Sequence, residues 1–306
     1  MRILVTGASG LLGLNLALEA AKDHQVFGTV NNNAIHTDAF TVIQADMLAP
    51  CAVEQLLDQT LPDWVIHCAA LANLDDCEAQ PRLAEQLNTE LPAQLASHVA
   101  RGGARLVHIS TDAVFDGQRG DYSEADAPNP LGVYARTKLE GEHRVAAADP
   151  QAVIARVNLF GWSLGGRRSL AEFFYANLSC GRQVMGFTDV FFCPLLANDL
   201  MGIFQAMLEM KLSGLYHVVS PECLSKYDFG LRLAKRFGLD ASLIRPVSFQ
   251  QARLSARRSP RLTLRTEKLA AALGGRLPSV TSGLERLYQL YQGGYPQFLQ
   301  GLKTQR

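Results

Sequence analysis

Along the first half of the chain, short apolar runs alternate with longer stretches whose apolar positions recur every three or four residues, the periods of buried strands and amphipathic helices. Arg2 to Thr6 predicts the first strand and Leu14 to Lys22 the helix after it. Strands are expected at Gln25 to Val30, Thr41 to Gln44, Trp64 to Ala70, Arg105 to Ser110 and Ala152 to Val157. Between them lie helical patterns at Ala52 to Leu61, Pro81 to Val99 (one or two helices) and Val133 to Ala148. Such alternation implies an α/β fold, a Rossmann-type doubly wound parallel sheet that binds ligands beyond the carboxyl ends of its strands.

After residue 158 the rhythm loosens. Gly165-Gly166-Arg167-Arg168 reads as a turn, and helices are expected at Leu170 to Leu178, Leu196 to Met210, Lys226 to Phe237 and Ser282 to Tyr291. One strand, Gly214 to Val219, is expected to return to the sheet. The organisation predicted is a dinucleotide-binding domain over 1–160, with 195–220 returning to its sheet. A smaller C-terminal substrate-binding lobe would comprise 161–194 and 221–306.

Candidate chemistry sits at the joints of this pattern. Gly7-Ala8-Ser9-Gly10-Leu11-Leu12-Gly13 separates the first strand from its helix, with glycines at i, i+3 and i+6. That spacing allows a tight turn, close approach of backbone to a pyrophosphate and close helix packing, and the helix start favours an anion. Gly7, Ser9, Gly10, Leu11, Leu12 and Gly13 are therefore candidate cofactor contacts. Ala69 and Ala70 add small side chains at the end of the fourth strand, where a cofactor can lie close.

Tyr134 and Lys138 stand one helical turn apart on the same helix face, about two dozen residues after Ser110-Thr111-Asp112. A tyrosine with a reference pKa of about 10 needs help to exchange a proton, and a neighbouring ammonium favours the phenolate. A hydroxyl from Thr111 or Ser110 would polarise a carbonyl held against that phenol. These parts suit proton transfer to a carbinol oxygen while a hydride moves elsewhere.

Composition narrows the classes. The 306 residues carry 29 basic and 29 acidic side chains, which argues against a nucleic-acid partner. No run approaches the ~18 apolar residues of a membrane span, and the start lacks a signal peptide's pattern, so a cytoplasmic protein is expected. Six scattered cysteines without a C-x-x-C pair are expected as buried or free thiols, not a disulfide frame or zinc site. His67 and His108 fall within strand patterns and are expected in the core. Asp75, Asp76 and Glu78 lack histidine or cysteine partners, so no metal is expected. Self-association, if present, is expected to give a homodimer.

The chain resembles the extended short-chain dehydrogenase/reductases, and among them the dTDP-4-dehydrorhamnose reductases, over nearly its whole length. The resemblance is carried by Ser110-Thr111-Asp112-Ala113-Val114-Phe115-Asp116-Gly117, by Tyr122-Ser123-Glu124-Ala125-Asp126, and by Pro130 through Tyr134 to Glu142. Asn88-Thr89-Glu90, Gly214-Leu215-Tyr216-His217 and Thr266-Glu267-Lys268-Leu269 extend it. It implies NAD(P)H-dependent reduction of a 4-keto group in a nucleotide sugar. Thr111 would polarise the ketone, Tyr134 supply the proton, and Lys138 hold the nicotinamide ribose and activate the tyrosine. Asn88 would support the site, while Asp46 and Met47 would touch adenine.

Two departures alter the pocket. Ala113 stands where these reductases have tyrosine, and Arg156-Val157-Asn158-Leu159-Phe160-Gly161 is more similar to sugar-nucleotide epimerases and dehydratases. Asp112, Ala113, Phe115, Arg156 and Asn158 are thus candidate substrate contacts. Asp189, among Phe187, Phe191 and Phe192, is another; the aromatics offer either a stacking surface for a base or packing beneath a loop. Arg253, Arg257, Arg258, Arg261 and Arg265 cluster where they would grip a diphosphate or simply face solvent, with Arg258 the substrate candidate. At the end of strand two, Asn31-Asn32-Asn33 suits either NAD or NADP; lacking a carboxylate to repel a 2′-phosphate, it inclines towards NADP. An epimerase or dehydratase with tightly bound NAD(P), or a non-catalytic NADP-binding regulatory subunit such as the β subunit of methionine adenosyltransferase, would share this fold.

Overall fold

The strand-like runs assemble side by side in the computed structural model, which describes residues 1–249, 259–275 and 277–303. The strands are β1 (Arg2–Thr6), β2 (Gln25–Val30), β3 (Thr41–Gln44), β4 (Trp64–His67), β5 (Arg105–Thr111), β6 (Val153–Val157) and β7 (Gly214–Val218). They form one sheet in the order β7-β6-β5-β4-β1-β2-β3, with every neighbouring pair parallel. The chain reverses its direction of winding between β1 and β4, which opens a crevice at their carboxyl ends.

Side chains alternate across this sheet as the pleat requires. Ile3, Val5, Ile66, Val107, Val153 and Ala155 face α1 (Leu11–Ala20), while Leu4, Val65, Leu106 and Ile154 face α2 (Ala52–Thr60), α5 (Leu91–Gly102) and α6 (Val133–Ala148). Burial on both faces explains why the strands read as continuous apolar runs. The helix after β1 starts at Leu11, three residues before the position expected, because Gly10 takes the extended cap conformation and helical turns begin at once. Between β4 and α5 lie α3 (Leu74–Ala79), α4 (Pro81–Glu85) and a π-helical turn at Gln86–Glu90.

The first apolar layer continues without a break into the C-terminal helices. These are α7 (Leu170–Leu178), α8 (Leu200–Glu209), α9 (Lys226–Phe237), α10 (Glu267–Leu273), α11 (Val280–Gln292) and α12 (Tyr295–Gly301). Short strand pairs complete this part: Val184–Phe187 beside Ile244–Val247, and Phe191–Phe192 between Leu224–Ser225 and Arg261–Leu262. No helix among the described residues is long and apolar enough to cross a membrane.

The cysteines correct one expectation. Cys193 and Cys223 form a disulfide, with Cα atoms 4.2 Å apart, although they are 30 residues apart in sequence. The turn after β7 brings them together, since Ser220 N donates to the Cys193 carbonyl oxygen at 3.0 Å. Cys51, Cys68, Cys77 and Cys180 are free.

One close approach fixes the sheet's second layer. A Cβ on Gly141 of α6 would lie 2.2 Å from the Asn88 carbonyl oxygen in the π-helical turn. Helix and turn meet here backbone to side-chain-free backbone. Gly141→Ala is expected to cost about 1–3 kcal/mol, the usual penalty of overpacking, read as a lower midpoint in urea unfolding.

Candidate active site

A cavity of about 740 Å³ runs along the carboxyl ends of β1, β2, β3 and β4. Its floor begins at Gly7, whose φ of +70° is the left-handed region and whose missing Cβ would otherwise stand 2.9 Å from the Ala69 backbone. Thr6 holds the two strand ends together by accepting from the Cys68 and Ala69 amides at 3.1 and 3.2 Å. With both acceptor sites used, the Thr6 proton goes to His67 Nδ1, 2.7 Å away. Burial pushes His67 down to about 3, so it stays neutral beside His108, on which it stacks at 5.5 Å.

The walls are Gly7, Ser9 and Gly10 after β1, Asn31 to Asn33 after β2, Asp46 and Met47 after β3, and Ala69 and Ala70 after β4. An elongated groove with a glycine cradle and a helix start at its base fits a dinucleotide. Three expected contacts do not line it with side chains. Leu11 and Leu12 are packed into the core, and Gly13 lets α1 pass the Gly7 carbonyl, where a Cβ would stand 2.4 Å away. The groove is also lined by Leu71, Asn73, Asp76, Arg167 and Arg168, none of which the sequence marked as a cofactor contact.

Asn88 joins this groove to the reacting helix. Its side chain accepts from Leu71 N at 2.9 Å and donates to Leu71 O at 3.0 Å and to Thr137 Oγ1 at 3.1 Å. Glu78 does related work at the start of α6, where Gly132 offers no capping side chain; its carboxylate accepts from Val133 N at 2.8 Å. Glu78 is therefore a helix cap.

Tyr134, in the first turn of α6, stands beside Thr111 at the end of β5, close enough for the threonine hydroxyl to act on the phenol. Burial pushes the phenol up to about 12, with Thr111 pulling down and the charges of Asp112 and Cys77 pushing further up. Thr111 accepts from Ala113 N at 3.1 Å and has one proton, which it gives either to Asp112, 3.2 Å away, or to a phenolate at Tyr134. Asp112 is buried and pushed up to about 6 by that burial, against hydrogen bonds from Asn158 and Thr111 and the charge of Lys226. Burial also lowers Lys138 to about 8, with Glu142 opposing; its ammonium donates to Ile109 O at 2.6 Å. The groups acting on the phenol are thus Thr111, Asp112 and Cys77, while Lys138 faces β5.

Several expected contacts prove to be framework. Arg156 is buried and forms two hydrogen bonds to Glu142, at 3.0 and 2.7 Å, so its guanidinium is not presented to a ligand. Ser110 donates to the same carboxylate at 2.5 Å and points away from Tyr134. Phe115 has no exposed surface and stacks on Tyr122 at 4.1 Å. Both oxygens of Asp189 are engaged, one by Ser248 Oγ at 2.5 Å and one by Phe249 N at 2.7 Å; Phe192 lies in the core against Phe229. Arg253, Arg257 and Arg258 lie outside the described residues, while Arg261 stands over the Phe191 ring. Asn158 and Ala113 do adjoin Thr111 and Asp112.

A glycine cradle on a parallel seven-stranded sheet, with threonine, tyrosine and lysine gathered beside it, defines an extended short-chain dehydrogenase/reductase. The RmlD substrate binding domain matches residues 1–292, and the chain belongs to that family. A probable low-salt glycan biosynthesis reductase, Agl14 of Haloferax volcanii, is 32% identical over 94% of this chain and 97% of its own. Methionine adenosyltransferase 2 subunit beta of Danio rerio is also 32% identical, over 88% of this chain and 84% of its own. The crystal structure of a dTDP-4-dehydrorhamnose reductase from Clostridium acetobutylicum superposes with a TM-score of 0.81 at 27% identity, covering 95% of this chain and 100% of that one. Structures of the same fold hold NADP or NAD.

Two variants check these assignments. Arg156→Met should strand the Glu142 charge and cost about 3–5 kcal/mol in stability, measured by denaturant unfolding, with ligand affinity following only the folded fraction. Asp112 has a folded pKa above its ordinary 3.8, so its contribution to stability is full below that value and is lost as pH rises through about 6. The stability of Asp112→Asn relative to the native chain should accordingly rise by on the order of 3 kcal/mol between pH 4 and pH 7, followed by urea titration at each pH.

Proposed function

We propose that the protein reduces a 4-keto group in a nucleoside-diphosphate sugar at the expense of NAD(P)H. The observation that carries this reading is the gathering of Tyr134 beside the hydrogen-bonded pair Thr111 and Asp112 at the end of β5, next to a groove that fits a dinucleotide. A bound nicotinamide would supply the hydride. Tyr134 is protonated at neutral pH, the state required of a proton donor, and burial moves its titration still higher. As charge develops on the ketone oxygen, Tyr134 gives up its proton, and the alkoxide is the stronger base. Thr111 then stabilises the phenolate by turning its single proton from Asp112 to the tyrosine oxygen, an electrostatic contribution aimed at the charge that forms. Lys138, charged at neutral pH and anchored to Ile109 O, holds the ribose side of the nicotinamide. Asn158 keeps Asp112 in place and, with Ala113, shapes the sugar side.

The similarity to methionine adenosyltransferase 2 subunit beta favours one other reading, a protein that binds the dinucleotide without turning it over. An epimerase has less support, because Arg156, its main sequence argument, is consumed by Glu142. The separating measurement is stoichiometric loss of NAD(P)H absorbance with a panel of nucleotide-linked 4-keto sugars. Tyr134→Phe should lower the chemical step by roughly 10²–10⁴ while leaving cofactor affinity near that of the native chain. Cofactor binding with no turnover on the whole panel would favour the binding subunit.

A further inference from the structure

The dinucleotide groove has a wall that comes from far along the chain. Arg167 and Arg168, exposed at the tip of the 163–169 loop, line the same cavity as Gly10 and Asn31 to Asn33. Among the described residues, neither guanidinium is held in an ion pair.

The loop that presents them is rigidly based. The Glu172 carboxylate, 1% exposed, accepts from Ser163 N, Ser163 Oγ, Arg168 N and Ser169 N at 2.5 to 3.1 Å. A carboxylate satisfied by so many donors fixes the backbone on both sides of the arginines. Asn15 Nδ2 donates to the Trp162 carbonyl at 2.9 Å, tying the loop's entry to α1.

The far side of the loop reaches the end of β2. A Cβ on Gly166 would stand 3.9 Å from Gln300 Nε2 on α12. Just past that helix, Lys303 bridges to Ile35, and His36 N donates to Leu302 O at 2.8 Å. The chain's last described turn thus connects the arginine loop to the segment that follows Asn33. In a sheet of this order, the end of the second strand faces the adenosine ribose, and its 2′ substituent is read there. Asn31, Asn32 and Asn33 bring no charge of either sign to that place.

We infer that Arg167 and Arg168 hold the 2′-phosphate of NADP, so that cofactor choice is made by a loop after β6 and not by the residues following β2. The inference rests on the reading of the groove as a nicotinamide dinucleotide site. Guanidinium groups match a phosphate monoester dianion by paired N–H donors, and their exposure means that no buried charge has to be compensated in its absence. The diphosphate bridge has its own donors at the start of α1.

Direct binding separates the possibilities without any need for turnover. The native chain is titrated with NADPH and with NADH, following nicotinamide fluorescence, and then with 2′-AMP and 5′-AMP as competitors. The expected result is tighter binding of NADPH than NADH, and of 2′-AMP than 5′-AMP. Arg167→Ala and Arg168→Ala should each weaken NADPH and 2′-AMP by roughly ten- to a hundredfold, the range for hydrogen bonds to a charged group, and leave NADH within about twofold. Equal loss of both dinucleotides would assign the arginines to the shared diphosphate and overturn the inference. So would unchanged NADPH binding, or native binding of NADH as tight as that of NADPH. A native chain that binds neither dinucleotide would remove the reading of the groove itself, and the inference with it. Matching thermal unfolding of the variants would show that the loop's base at Glu172 is intact.

Discussion

The buried carboxylate of Glu142 is the interaction on which the catalytic half of the molecule depends. It accepts two hydrogen bonds from Arg156 on β6 and one from Ser110 on β5, and it lies one turn after Lys138 on α6. An ion pair removed from water contributes little net stability, but each partner is costly to leave alone, so the three elements have to meet in one register. That register places Thr111, one residue beyond Ser110, against Tyr134. Chemistry at the end of β5 therefore inherits its geometry from a charge cluster that never touches a ligand.

Burial then divides the labour among similar groups. His67 and His108 lose their charge in the core, whereas Lys138 at about 8 keeps most of its own because Glu142 opposes the cost of desolvation. Asp112 sits between these extremes, with a value near 6 set by burial against the donors Asn158 and Thr111. A tyrosine pushed up to about 12 is a proton reservoir at neutral pH, and a threonine with one proton and two acceptors redirects it.

Local pattern made most of the sheet legible, since β1, β2, β3 and α6 begin and end where the apolar periods do. The glycine turn and the Tyr134–Lys138 spacing were equally open to reading, because each is a constraint between near neighbours. What stayed hidden depends on residues distant in sequence. Arg156 looked like a substrate contact because nothing within a few residues says that Glu142, 14 positions earlier, reaches it across two elements. Asp189 misled for the same reason, its partner being the backbone at Phe249, while Phe115 is closed off by its stack on the nearer Tyr122. Arg167 and Arg168 read as a turn, and only the tertiary fold carries them to the far wall of the groove.

The Cys193–Cys223 bond encloses α8 and β7 in a covalent ring, and the seventh strand is an edge of the sheet. A chain pulled from its two ends would transmit force across that bond and past the ring. About 100 Å of contour, the extended span of the 30-residue separation of the two cysteines, would stay unreleased until the bond was reduced. Mechanically, the protein is therefore shorter than its sequence.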